Sequence, residues 1–195
     1  MATLSEAMEE AMASAPTDRI MIDTVEIIHP GFVAQDGVTR TSARLVKDNF
    51  PLRAKLEASA DIDAGQVVRF EPLMFSMLLP KSTSNELPFI DVAIDNVDNV
   101  LTYWTDLAAR DHRKTTLIYR PYLFYPDSDL IDGDVRVAGV SNALARTPEM
   151  DPPVRMTISD ITLTRSRVTF KARPLDYINM KFPKELYTKA RFPAL

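Results

Sequence analysis

The stretch "PLRAKLEASA", residues 51–60, alternates without a break, with Leu52, Ala54, Leu56, Ala58 and Ala60 on one side and Arg53, Lys55, Glu57 and Ser59 on the other. Successive side chains of an extended chain point to opposite faces, so the pattern predicts a half-buried β-strand. Its neighbours share the texture. Upstream, "RIMIDTVEIIH" (19–29) is β-branched and stops at the turn signal His29-Pro30-Gly31. Downstream, "DIDAGQVVRFEPLMFSMLLP" (61–80) supplies a turn at Asp63-Ala64-Gly65 and then a long strand, where Pro72 implies an edge position or a bulge. "LPFIDVAIDN" (87–96) sets Ile90, Val92 and Ile94 against Asp91 and Asp95 on the opposite face. "KTTLIYRPYLFYP" (114–126) has strand texture, and "VRMTISDITLTRSRVTFKA" (154–172) reads as two alternating strands.

Helical periodicity shows in two places. Thr3 and Glu6 fit a capping box, and Leu4, Met8, Ala11, Met12 and Ala15 recur on one face before Pro16, which predicts an N-terminal amphipathic helix over 1–16. Val97, Leu101, Trp104 and Ala108 share a helical face in "NVDNVLTYWTDLAAR" (96–110) and predict an interior helix. Residues 126–153 form an irregular insertion or loop with a short strand expected within Asp134–Val140. Roughly eight strands and two helices predict one mainly β (α+β) domain over 1–195, an antiparallel β-barrel or sandwich with one packed helix besides the N-terminal one.

The chain has 195 residues, 46% hydrophobic and 26% charged, which suits a folded, soluble domain. It has no cysteine, so disulfides, thiol nucleophiles, iron–sulfur clusters and cysteine zinc sites are excluded. The longest apolar run, "PLMFSMLLP", is too short to span a bilayer, so membrane insertion is not expected. The acidic opening lacks the basic character of a secretion signal. Net charge is −4 but unevenly placed: residues 1–18 hold four acids and no base, whereas residues 165–191 hold eight bases against Asp176 and Glu185. Either these are two solvated surfaces, or the ends pair head to tail or between subunits.

Candidate chemistry is sparse. His29 and His112 have no nucleophilic or acidic companion at motif spacing, and the isolated glycines form no phosphate cradle, so no cofactor or metal is expected. Asp91, Asp95 and Asp98 read either as paired carboxylates of a glycoside hydrolase or as a solvated face running into a helix N-terminus. "DSDLIDGD" (127–134) looks like a calcium loop, but Ile131 stands where an oxygen ligand belongs and no closing glutamate follows. The terminal stretch "NMKFPKELYTKARFPAL" (179–195) places Phe182-Pro183 and Phe192-Pro193 among basic residues, with Tyr187 and Arg191 between them. Proline-fixed aromatic residues lose little entropy on docking, so residues 174–195 read as an arm that packs on its own domain or on a partner. Met8 and Met12 serve either the core or an adaptable interface.

Several segments, in order, carry a family resemblance: "LSEAMEEAMASAPTDRIMIDTVEIIHPGF", "LEASADIDAGQVVRFEPLMFSMLLP", "IDVAIDNVDN", "TLIYRPYL", "MDPPVRMTISDI" and "FPKELYTKARFPAL". Together they resemble a family of tail-tip proteins of long-tailed bacteriophages whose biochemical function is unassigned. The stretch "FYPDSDLIDGDVRVAGVSNALART" departs from that pattern as an insertion. The resemblance implies a barrel of the tail-tube or distal-tail type and a non-enzymatic, structural role in the virion, after synthesis and assembly in the bacterial host cytoplasm. It implies a homo-oligomeric ring, sixfold in preference to threefold, or an adaptor between the tail tube and the tail-tip, hub, baseplate or receptor-binding proteins, with DNA only as passing cargo. Phe182, Pro183, Tyr187, Arg191, Phe192, Pro193, Met8 and Met12 would then serve the interface, and Asp91 and Asp95 a lumen face. The rival expectations are a tail-associated cell-wall glycosidase using Asp91 and Asp95, and an assembly chaperone absent from the finished particle.

Overall fold

The structure, a computed structural model, describes residues 3–14, 18–33, 41–77, 90–95, 113–164 and 167–174. β-Branched and aromatic runs become strands wherever a turn residue ends them. In chain order these are β1 (Thr3–Leu4), β2 (Ile20–Ile28), β3 (Ala43–Val46), β4 (Leu52–Lys55), β5 (Val67–Pro72), β6 (Phe75–Met77) and β7 (Ile90–Asp95). After them come β8 (Thr116–Phe124), β9 (Ile131–Asp132), β10 (Val135–Val137), β11 (Met150–Asp151), β12 (Val154–Leu163) and β13 (Arg167–Pro174). One α-helix, α1 (Glu6–Ser14), lies between β1 and β2, and a 3-10 turn spans Asn142–Leu144. The interior helix expected over 96–110 lies outside the described residues.

Eleven strands form one sheet in the order β6-β7-β13-β12-β8-β2-β3-β5-β4-β10-β9, while β1 pairs with β11. The sheet is mixed, which corrects the antiparallel expectation: β3 runs parallel to β5, and β4 parallel to β10. Alternation reports which face a residue occupies, and it is silent on which strand lies alongside. Here β5 returns between β3 and β4 and pairs with both.

The spine is the β2–β8 pair, nine residues in unbroken antiparallel register from Ile20↔Phe124 to Ile28↔Thr116. Both of its faces are buried along most of their length, with Ile20 and Met21 exposed at one end. On the inner face Val25, Ile27, Leu117 and Tyr119 join side chains from β3, β6, β7, β12 and β13 in one cluster that includes Leu45, Phe75, Ile94, Met156 and Phe170. On the outer face Ile22, Tyr122 and Phe124 pack against Leu52, Ala54 and Leu56 and against Val68 and Phe70 of β5. Burying one such large side chain contributes about 1.5–3 kcal/mol.

The opening stretch behaves as a strand only in part. Leu52, Ala54 and Leu56 are buried as expected, but β4 ends at Lys55, and Ala58 and Ser59 lie in an exposed turn. Glu57, placed on the solvated side by alternation, is buried, and its carbonyl accepts from Ala60 and Gly65 N–H. The long strand expected after Gly65 breaks at Leu73 and Met74, just past Pro72. Across the break, Leu73 N–H donates to the Val46 carbonyl while Asp95 N–H donates to the Met74 carbonyl. One short run therefore touches β3 through β5 and β7 through β6.

Residues 126–153 contain β9, β10, the 3-10 turn and β11. Arginine side chains hold them. Arg146 donates to both oxygens of buried Asp129, which also accepts from Tyr125 N–H at 2.8 Å. Arg136 pairs with Asp48 and lies over the rings of Phe50 and Phe124.

Candidate functional site

Asp91 and Asp95 project from β7 on the face opposite the inner core, since Ile90, Val92 and Ile94 point inward. Each acid faces a base across the strand pair: Asp91 is in register with Lys171 and Asp95 with Arg167, whose Nε lies 3.3 Å from Asp95 Oδ1. Cross-strand opposite charges are neighbours, so this face is close to neutral. Four residues of strand separate the two acids by roughly 13 Å, beyond the approximately 5–9.5 Å of a glycosidase pair. Asp98 lies outside the described residues. A cleft of about 670 Å³ opens beside Asp91, lined by Ser76, Asp160, Thr162, Thr169 and Lys171 among others. It sits where β12 bulges between Ser159 and Thr162, with Asp160 at φ 53°.

Among the described residues, the densest polar arrangement lies on the outer face of the β2–β8 pair. Arg120 is 0% exposed and donates from Nε and Nη2 to both oxygens of Glu57, each at 2.8 Å, and from Nη1 to Glu26 Oε2 at 2.7 Å. The other Glu26 oxygen accepts from Ser42 and from Arg44 Nε, and Arg44 reaches Asp63 at 2.7 Å. Burial pushes the Glu57 carboxyl up, but the hydrogen bonds and charge of Arg120 outweigh it and hold Glu57 below the usual carboxylate range. For Arg120, burial works against the charge and the two carboxylates override it, so its pKa is raised. Such a closed set of donors and acceptors cements packing and leaves no carboxylate poised for proton transfer.

The expected interface residues divide. Met8 is fully buried in its own chain. The helix start explains it: Ser5, in place of the Thr3 expected, caps α1 by accepting from Met8 N–H and donates to Glu149, which pulls the helix onto the body. Met12 lies on α1. Phe182, Pro183, Tyr187, Arg191, Phe192 and Pro193 lie outside the described residues. Asp129, from the calcium-like stretch, is spent on Arg146 and Tyr125, and among the described residues no group of three or more acidic, histidine or cysteine side chains is placed to hold a metal ion. No described helix is long and apolar enough to cross a membrane.

A family model described as a domain of unknown function, DUF1833, matches residues 7–187. The chain belongs to the DUF1833 family. A search of curated proteins returned no match. The DUF1833 match takes in β2 through β13, and with them the Glu26–Arg120–Glu57 cluster and the cleft beside Asp91.

Sequence reasoning passed over that cluster. Glu26 and Arg120 each sit inside a strongly apolar strand, in "TVEII" and "LIYRPYL". A lone charge in such a run must be paired if both faces are covered, and this was the available signal. Glu57 gave none, because on a half-buried strand its position belongs to solvent.

Proposed function

We propose that this DUF1833 domain is a structural, non-enzymatic component of the tail tip of a long-tailed phage, a ring or adaptor between the tail tube and the receptor-binding or baseplate proteins. The resemblance described above supports the setting. The observation that carries the architecture is the run from Val67 to Met77, which pairs with β3 and β4 at one end of the sheet and with β7 at the other. That run supports a closed β-barrel of the tail-tube or distal-tail type, with the inner cluster as its filling and β4, β9 and β10 outside it. A barrel filled by side chains is a rigid building block suited to stacking in a ring.

A sixfold ring, or failing that a threefold one, would place each copy against itself and against the neighbouring tail-tube and hub proteins. If the Asp91 and Asp95 face lines the lumen, its opposed Lys171 and Arg167 make it a near-neutral wall that does not retain passing DNA. The test is immunogold labelling of purified particles with antibody against this chain. Label confined to one tip of the tail is the expected result. Particles that carry no label, from lysates that contain the chain, would sink the virion reading in favour of the chaperone.

A further inference from the structure

We infer that the exposed patch of Ile131, Val140 and Leu144 is the seat for the C-terminal arm of a second copy of this chain. The inference deepens the ring reading above and rests on it. These are the three most exposed large apolar side chains among the described residues, at 57%, 57% and 65%. Exposed apolar groups so close together mark an interaction site more often than chance scatter does.

The backbone holds them as one platform. Leu130 N–H donates to the Gly139 carbonyl at 2.9 Å, and a Cβ on Gly139 would stand 2.4 Å from the Leu144 carbonyl oxygen, so the three segments are in contact. Arg53 reaches both Asp132 at 3.2 Å and Asn142 at 3.5 Å, tying β9 to the 3-10 turn. β9 is also the last strand of the sheet, so its outer edge has no neighbour among the described residues. An edge beside exposed apolar side chains suits an extended segment that adds along it.

Charge selects the occupant. Residues 126–145 carry Asp127, Asp129, Asp132 and Asp134 against Arg136; Asp129 is paired with Arg146 and Asp132 with Arg53, which leaves Asp127 and Asp134 as exposed acids beside the patch. The arm is the complement: Lys181, Lys184, Lys189 and Arg191 against Asp176 and Glu185, with Phe182, Tyr187 and Phe192 between them. Two other surfaces fit less well. α1 exposes Glu6, Glu9 and Glu10, but among the described residues it offers no exposed large apolar side chain. Ile161 and Leu163 are exposed on β12, whose neighbour β13 carries Arg167, Lys171 and Arg173, which repel a basic arm. The ring reading above supplies the arm from a neighbouring copy, and the test below separates that arm from the chain's own.

The test mixes light and ¹⁵N-labelled full-length chain, lets the copies exchange, and joins lysines to carboxylates with a zero-length carbodiimide reagent. Expected are light–heavy peptides linking Lys184 or Lys189 to Asp127, Asp132 or Asp134, with a yield that falls about tenfold or more in the I131S/V140S/L144S variant. The same links found only within light or within heavy chains would mean that each arm folds onto its own body, and would overturn the proposal. A discrete oligomer whose arms link elsewhere, for instance to Glu6 or Glu9, would overturn it and leave the ring standing. A monomer with no light–heavy links would bring down both.

Discussion

The two faces of the β2–β8 pair are both dry, yet they are built from different chemistry. The inner face joins an apolar cluster in which the Tyr119 hydroxyl donates to Asp23 at 2.7 Å. The outer face mixes Ile22, Tyr122 and Phe124 with Thr24, Glu26 and Arg120. Apolar packing is non-directional, so the inner core tolerates small shifts, whereas the ionic set on the outer face is satisfied only in one register. The outer layer leads on through β4 and β10 to the platform of Ile131, Val140 and Leu144. Its register therefore decides where that platform points.

The largest effect that can break this comparison is on Arg120. Arg120→Met leaves Glu26 and Glu57 buried without their shared partner, and should destabilise the fold by about 3–5 kcal/mol in urea titration. A loss under about 1 kcal/mol would mean that water already reaches the outer layer. On the inner face, Leu117→Ala should cost about 3 kcal/mol through lost contacts and a residual cavity. That cost should add to the cost of an outer-face substitution, because the sheet separates the two sites.

A smaller effect carries a sign. Glu57 has a depressed pKa in the folded chain, so its contribution is present above the ordinary carboxylate pKa and is lost as pH falls through the depressed folded value. Stability should fall on acidification below about pH 4, and Glu57→Gln should flatten that fall while costing about 2 kcal/mol at neutral pH. A variant with the wild-type acid profile would place the acid-sensitive groups elsewhere. The smallest effect belongs to the exposed pair: Asp95→Asn should change stability by less than about 0.5 kcal/mol, because its partner Arg167 is screened by solvent.

Much of the inner face was legible, since Ile90, Val92, Ile94, Met156, Val168 and Phe170 alternate in the sequence as they do in the structure. Those strands are covered on one side, which is the condition under which period two reports burial. The outer layer was not legible for the same reason inverted. β8 is buried on both faces from Leu117 to Phe124, so its alternation vanishes, and Glu57 reaches its site from a turn. Partner order was hidden too, because the insertion of β5 between β3 and β4 depends on contacts distant in sequence. Of the expected site, Asp91 and Asp95 fall on one face as read, while the bases opposite them come from β13, some 70–80 residues away.

Oligomeric mass tests the central claim, a structural component that assembles with itself, most directly. Light scattering on the purified full-length chain over a concentration series should give one discrete mass at a fixed small multiple of 21.9 kDa, sixfold by preference. A mass of 21.9 kDa at every concentration would contradict the ring.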